Sequence, residues 1–363
     1  MSSRRITCRI DLRELEKNFA VLKEHAGACR VMPVLKYDAY GLGAKKIGTA
    51  LREAGAYRFA TAEINEALDV QQLGLDVQIL GILMPDEISE VVASGVIAPV
   101  CQYETARLLS AEAVRQNRFV RIAIKLDTGM GRLGFSPETD AELIAEIVKL
   151  PHLVPDGIFS HFSTAAEPDL DYASFQLGRF KSMLHTLTQA GINFPHIHHA
   201  AGDAILKVPE STLPPFNVAR PGGAMYGEDF HSPCRQIITL TTRIGALRTI
   251  PAGGSVGYFR KFRAEKNTPV AVLPAGYADG IPLALSNKGE VIIRGKKCPI
   301  LGRISMDYTV VDISAVPDAH VGDTVTLLGQ DGACSVSVAD WGKLKSTHSH
   351  DIWCSLGHRV VRV

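Results

Sequence analysis

Short apolar runs alternate with longer amphipathic stretches through the first two-thirds of the chain. The runs fall at Val31–Leu35, Arg58–Thr61, Val77–Leu80, Val96–Val100, Phe119–Leu126, Gly157–Ser160, His196–His199 and Phe216–Ala219. Between them, apolar residues recur at helical spacing in Gly43–Ala54, Glu63–Leu73, Glu87–Ala93, Tyr103–Gln116, Asp140–Leu150 and Asp171–Ala190. Eight strands with intervening helices predict a parallel (β/α)8 barrel. The alternative is an open doubly wound sheet. That fold carries a Gly-rich turn after its first strand, whereas Met32-Pro-Val-Leu-Lys36 has none. The segment Ile6–Leu12 and the helix after it stand outside this count and could belong to either domain.

The rhythm changes near Ser232-Pro233. Runs with strand character follow at Ile237–Ile244, Val270–Leu273, Glu290–Ile293, Thr309–Ile313 and Thr324–Leu328. Gly and Asp punctuate them, as in Pro251-Ala-Gly-Gly, Val321-Gly-Asp and Gln330-Asp-Gly. This predicts an α/β barrel domain over residues 1–236 and an all-β domain over 237–363.

Composition narrows the function. The 363 residues are 46% hydrophobic and 21% charged, as in an ordinary globular chain. Lys and Arg number 39 against 38 Asp and Glu, a net charge of +1. That balance leaves no electrostatic footprint for nucleic acid or an anionic membrane. The seven cysteines are scattered with no C-x-x-C, which reads as reduced thiols in the cytoplasm. Met1-Ser-Ser-Arg-Arg-Ile-Thr-Cys lacks the apolar stretch of a signal peptide. No run is long enough to span a bilayer.

In a parallel barrel, catalytic groups lie just after the strands. Those positions hold Lys36 after the first strand, Arg132 in a Gly-rich loop after the fifth and His161 at the end of the sixth. His199 and Asp203 follow the seventh, and Arg220 ends the eighth before Pro221-Gly222-Gly223. Lys36 reads either as a surface lysine or as a desolvated amine able to form a Schiff base. Arg220-Pro-Gly-Gly reads either as a turn or as a phosphate cradle, which barrels often build after strands seven and eight. A Schiff-base lysine plus a phosphate cradle is what pyridoxal phosphate requires.

These residues resemble the alanine racemase family, whose members pair an α/β barrel with a β domain. Val34-Leu-Lys36-Tyr-Asp-Ala-Tyr40-Gly-Leu-Gly resembles the family's lysine motif, and Lys125-Leu-Asp-Thr-Gly-Met-Gly-Arg132-Leu-Gly-Phe its central motif. Ser160-His161-Phe-Ser-Thr-Ala-Ala-Glu and Arg220-Pro-Gly-Gly-Ala-Met-Tyr226-Gly follow in the family's order. So do Ser255-Val-Gly-Tyr258, Gly276-Tyr277-Ala-Asp-Gly and Gly302-Arg303-Ile-Ser-Met306-Asp307.

The resemblance implies an isomerase that uses pyridoxal phosphate to interconvert L- and D-alanine, supplying D-alanine for peptidoglycan. It implies that Lys36 holds the cofactor and serves as one base. Tyr258 is the implied second base, reaching into the partner subunit of a homodimer. Arg220 would face the pyridine nitrogen without giving up its proton. Arg132 would address the cofactor phenolate and the substrate carboxylate, the Met306 backbone N–H the same carboxylate, and His161 would support the network. Tyr277 and Arg303 match the substrate's path into the family's site. Tyr40, Gly222 and Gly223 match its phosphate contacts. Lys125 stands where some members carry a carbamylated lysine; its plain alternative is a lysine paired with Asp127.

The chain also departs from the family. Gly202-Asp203 aligns with an Asn-Ser phosphate contact, and His350 with a late tyrosine. The two changes are expected to compensate, Asp203 pairing with His350. Leu283 replaces an arginine and Ala166 an acidic residue at the mouth. Phe259-Arg260-Lys261 follows Tyr258 where relatives begin with glycine. These changes leave open a racemase of the same fold acting on serine, lysine or another amino acid. A non-catalytic pyridoxal-phosphate carrier is a second alternative. A metal-dependent barrel hydrolase built on His196-Ile-His198-His199 is a third.

Overall fold

A computed structural model describes residues 5–363. They fall into two compact units. One comprises Glu16–Ala39 and Gly43–Met225; the other comprises the chain up to Leu15, Tyr40–Leu42 and Tyr226–Val363.

The first unit is a closed parallel barrel. Its eight strands are Arg30–Val31, Phe59–Thr61, Val77–Ile79, Ala98–Val100, Val120–Lys125, Leu153–Phe159, His196–His198 and Val218–Ala219. Each pairs in parallel with the next, through ladders or single bridges. The ring closes where Arg30 faces Val218 and Val31 faces Ala219. Strands buried on both faces read as continuous apolar runs, and the second, third and fourth strands are buried at every position. The helices Ala44–Glu53, Ile64–Gln71, Ile88–Ser94, Tyr103–Arg115, Ala141–Ile147 and Asp171–Gln189 lie where periodicity placed them. Each turns an apolar stripe inward: Ile47, Ala50 and Leu51 in the first, Leu177, Phe180, Leu184 and Leu187 in the last.

A polar cluster occupies the early end of the barrel strands. Arg58 makes a bidentate pair with Asp156, at 2.7 and 3.2 Å. His196 Nδ1 lies 3.1 Å from Asp156 Oδ2, and its Nε2 lies 2.9 Å from the Tyr57 hydroxyl. Burial would raise the Asp156 pKa, but His196 and Arg58 outweigh it and hold the carboxyl at about 2.

The second unit is dominated by strands. Its main sheet runs Lys296–Pro299, Glu290–Ile293, Thr324–Asp331, Ile238–Arg243, Thr7–Ile10, Val361–Arg362. The N-terminal strand therefore pairs with Ile238–Arg243 and belongs to this unit rather than to the barrel. A cut at residue 236 leaves it on the other side, because sequence pattern carries no signal of which distant strand offers a free edge. A second sheet joins Ala246–Ile250, Thr268–Leu273 and Thr309–Asp312. The short hairpin Ser255–Val256 with Phe262–Arg263 carries Tyr258 at its tip. Two short helices, Val338–Lys345 and Ser349–Cys354, complete the unit, the second bearing His350. No helix among the described residues is long and apolar enough to cross a membrane.

Candidate active site

Barrel closure decides which groups meet. Beyond the paired first and eighth strands, Met32 N–H donates to Ala219 O and Val34 N–H to Pro221 O, both at 2.8 Å. The ends of these strands therefore run side by side, which sets Lys36 beside Arg220-Pro221-Gly222-Gly223. Directly after Lys36 the backbone makes a left-handed turn: Tyr37, Asp38, Ala39 and Tyr40 have φ of 53°, 49°, 54° and 60°. Each such residue costs about 1–2 kcal/mol. The turn is held by Glu66, which accepts from Tyr37 N–H at 2.6 Å, and by Asp38, which accepts from Ala44 N–H at 2.7 Å. Strain of this kind is retained where it positions a functional group.

Arg220 is buried and ties neighbouring strand ends together. Its guanidinium donates to the carbonyl of Ser160 and, at 3.1 Å, to that of His199. The Ser160 hydroxyl donates to Leu126 O at 2.8 Å and lies 2.8 Å from Thr128 Oγ1. The Gly-rich loop bearing Arg132 is wrapped around one carboxylate. Asp127 accepts from the N–H groups of Gly129 and Gly131 at 3.0 Å and of Arg132 at 2.9 Å.

His161 reports the convergence of these groups. Burial pushes its pKa well below the ordinary value, and the charges of Arg220, Lys125, Arg132 and Lys36 push it further down. It is therefore a neutral imidazole amid Arg220, Arg132, Lys36 and Lys125, and its buried Nδ1 has no hydrogen-bond partner. Lys125 is also buried and donates to Leu126 O at 2.9 Å, not to Asp127. Burial, reinforced by Arg220, lowers its pKa to about 7. An amine so depressed is substantially neutral at physiological pH.

The loop after the seventh strand packs against the turn after the eighth. A Cβ on Gly202 would come 2.6 Å from Ala224 Cβ, so a larger residue at position 202 would push these loops apart. Asp203, exposed in the next position, has Oδ1 3.8 Å from Lys207 Nζ.

The strand-rich unit presents its own group. Tyr258, Tyr277 and Met306 are all exposed, at 65, 42 and 53%. Their loops interlock: Tyr277 N–H donates to Ser305 O at 3.0 Å, and Ala278 N–H to Met306 O at 3.1 Å. A Cβ on Gly276 would lie 2.3 Å from Ser305 O and 2.4 Å from Met306 O. Arg359 bridges Asp279 and Asp307 at 3.0 and 2.7 Å, fixing both loops. Elsewhere in this unit the Tyr40 ring lies 5.3 Å from His350 and 5.4 Å from Tyr226.

Residues 10–229 match the family description "Alanine racemase, N-terminal domain", and residues 237–363 match "Alanine racemase, C-terminal domain". The chain belongs to the alanine racemase family. It is 35% identical to the alanine racemase of Clostridium tetani, over 99% of this chain and 95% of that protein. The solved alanine racemase of Streptomyces lavendulae superposes with a TM-score of 0.93 at 32% identity, covering 100% of this chain and 97% of that one. That of Bartonella henselae, solved with covalently bound pyridoxal phosphate, gives 0.90 at 29% identity, covering 99% of each chain. The family's enzymes are isomerases that depend on pyridoxal phosphate.

The donor set fits that cofactor. An amine and a Gly-Gly turn sit on adjoining strand ends, a buried guanidinium lies beside the turn, and a half-buried imidazole keeps an unused nitrogen. Asp203 is the discordant member, though Lys207 meets its charge locally. The histidines of the seventh strand do not converge. His196 turns to Asp156 and Tyr57, His198 stacks on Phe159 at 5.1 Å, and His199 stacks on Phe162 at 3.6 Å. Among the described residues no group of three or more His, Cys, Asp or Glu is arranged to hold a metal.

Three supporting residues escaped sequence reasoning. In the sequence Asp127 reads only as a partner for Lys125, whereas in the fold it accepts from the N–H groups of Gly129, Gly131 and Arg132. Ser160 gave no signal beyond standing before His161. Arg359 lies far in sequence from the two carboxylates it joins.

Proposed function

We propose that the chain is an amino-acid racemase that interconverts L- and D-alanine with two bases, Lys36 and Tyr258 of the partner subunit. The observation that carries this reading is the side-by-side placement of Lys36 and Arg220-Pro-Gly-Gly at the barrel's closure, in a chain of this family. When bound, pyridoxal phosphate supplies an electron sink that acidifies the substrate's α-C–H. The chain supplies proton transfer and orientation. Lys36 Nζ takes or returns a proton on one face of the α-carbon, and the Tyr258 hydroxyl does so on the other. Arg220 offers the pyridine nitrogen a guanidinium that keeps its proton. Arg132 and the partner subunit's Met306 N–H hold the substrate carboxylate, with Tyr277, whose loop interlocks with that of Met306, on the substrate's path. Asp203 and the Gly222 and Gly223 amides border the phosphate, and neutral His161 pads the cationic mouth.

Lys125 is proposed to be carbamylated. Its neutral amine adds to the carbon of CO2, a C–N bond forms and one proton leaves, giving an anion beside Arg132 and Arg220. The reading extends to a cytoplasmic homodimer that supplies D-alanine for peptidoglycan.

The test is racemisation of a panel of L-amino acids by the purified chain with pyridoxal phosphate, read by chiral chromatography. Alanine turned over fastest supports the reading. Faster turnover of serine, lysine or another amino acid moves the substrate, as the exposed, uncharged Leu283 and Ala166 would allow. No turnover of any of them removes it.

A further inference from the structure

The turn that carries Tyr258 holds a large side chain in a conformation that suits glycine. Phe259 has φ 62° and ψ 12°, and Arg260 follows at φ 49°. A bulky residue in the left-handed region is an outlier, with a steric cost that glycine avoids. The ring does not recover this by burial, since Phe259 is 77% exposed. It is nevertheless held in place. Its face meets the Arg303 guanidinium, whose carbon lies 5.5 Å from the ring centroid. Arg260 is tethered to the Ser255 hydroxyl at 3.2 Å. The Phe259 ring stands 6.5 Å from that of Tyr258. An exposed, strained and pinned aromatic ring contributes little to folding and stands next to the residue read above as a base.

We propose that Phe259 sets the upper size limit of the amino acid the enzyme accepts. The inference rests on the reading of Tyr258 as a base at the partner subunit's mouth. A base that exchanges the α-proton works one bond from the substrate's side chain. A ring anchored beside it fills the space into which a longer side chain would extend. Pinning by Arg303 makes it a wall rather than a surface that gives way.

The test is the ratio of kcat/KM for L-norvaline to that for L-alanine in Phe259→Gly, Phe259→Leu, wild type and Phe259→Trp. The ratio is expected to fall steadily as the residue grows. Between Phe259→Gly and wild type the difference should be about tenfold or more, the discrimination available from one or two methylenes in a pocket. Phe259→Gly should also melt no lower than wild type, because it relieves the turn. A ratio constant within twofold across the series overturns the proposal, as does one that rises with residue size. If wild type racemises nothing, the underlying reading fails and this inference falls with it; a turning-over wild type with a flat series removes this inference alone.

Discussion

Lys125 and Arg220 set their cationic ends against the same ring. Lys125 Nζ lies 5.3 Å and the Arg220 guanidinium carbon 5.6 Å from the Phe159 centroid. Burial first, and then the charge of Arg220, lower the Lys125 pKa to about 7, so its charge state changes near neutral pH.

The first prediction follows from that pair. Lys125 has a pKa of about 7 in the fold against an ordinary 10.5. Below pH 7 the folded and unfolded chains both carry the charge, and the burial penalty is felt in full. Between about 7 and 10.5 only the unfolded chain retains the proton, so stability rises with pH across that window. Urea unfolding in carbon-dioxide-free buffer should show this rise, and Lys125→Met should flatten it. With isotopically labelled bicarbonate, a protein carbamate resonance should appear in wild type and be missing from Lys125→Met.

A second prediction concerns the far end of the barrel. Asp156→Asn removes the bidentate partner of the buried Arg58 guanidinium, leaving it the more distant Asp76, whose Oδ2 lies 3.6 Å from Arg58 Nε. Unfolding should become easier by about 3–5 kcal/mol, the cost of breaking a buried pair on one side. In wild type the Asp156 contribution is full above pH 3.8 and is lost as pH falls toward 2. Equilibrium urea unfolding of both proteins between these values measures it.

The loops of the strand-rich unit give a third. Gly276→Ala drives a methyl into the Ser305 and Met306 carbonyls, displacing Met306 and Tyr277 together. Displacement by about 1 Å should lower kcat/KM by about 100-fold. Steady-state kinetics will show whether the loss is of that order, with circular dichroism to check the fold.

The fourth addresses Asp203. Its carboxylate is an unfavourable neighbour for a phosphate, and Asp203→Ser removes it. Pyridoxal phosphate should then bind about fivefold more tightly, corresponding to roughly 1 kcal/mol of relieved repulsion in a solvated setting. Titration followed by the cofactor's absorbance measures this independently of turnover.

The barrel was legible because each of its strands is a compact apolar run and its helices keep the 3.6-residue period. Ala246–Ile250 was not, because Leu247, Arg248 and Thr249 face solvent and break the apolar alternation. The assignment of Thr7–Ile10 to the strand-rich unit depends on a partner more than 200 residues away. Lys36, Arg132, His161 and Arg220 were legible as candidates because they follow barrel strands, where such folds place their chemistry, and all of their charges act on His161. The left-handed turn at Tyr37–Tyr40 was hidden, since Tyr and Ala disfavour positive φ and a single Asp is a weak signal for it. Arg359 was hidden as well, because a lone arginine does not reveal which distant carboxylates it joins.

The central claim is that two bases serve opposite faces of one α-carbon. The most direct test follows each alanine enantiomer separately in deuterated water, comparing wild type with Tyr258→Phe. Wild type should exchange the α-hydrogen of both enantiomers while interconverting them. Tyr258→Phe should keep exchange with retention for one enantiomer, through Lys36, and lose interconversion in both directions. Undiminished racemisation by Tyr258→Phe would contradict the account.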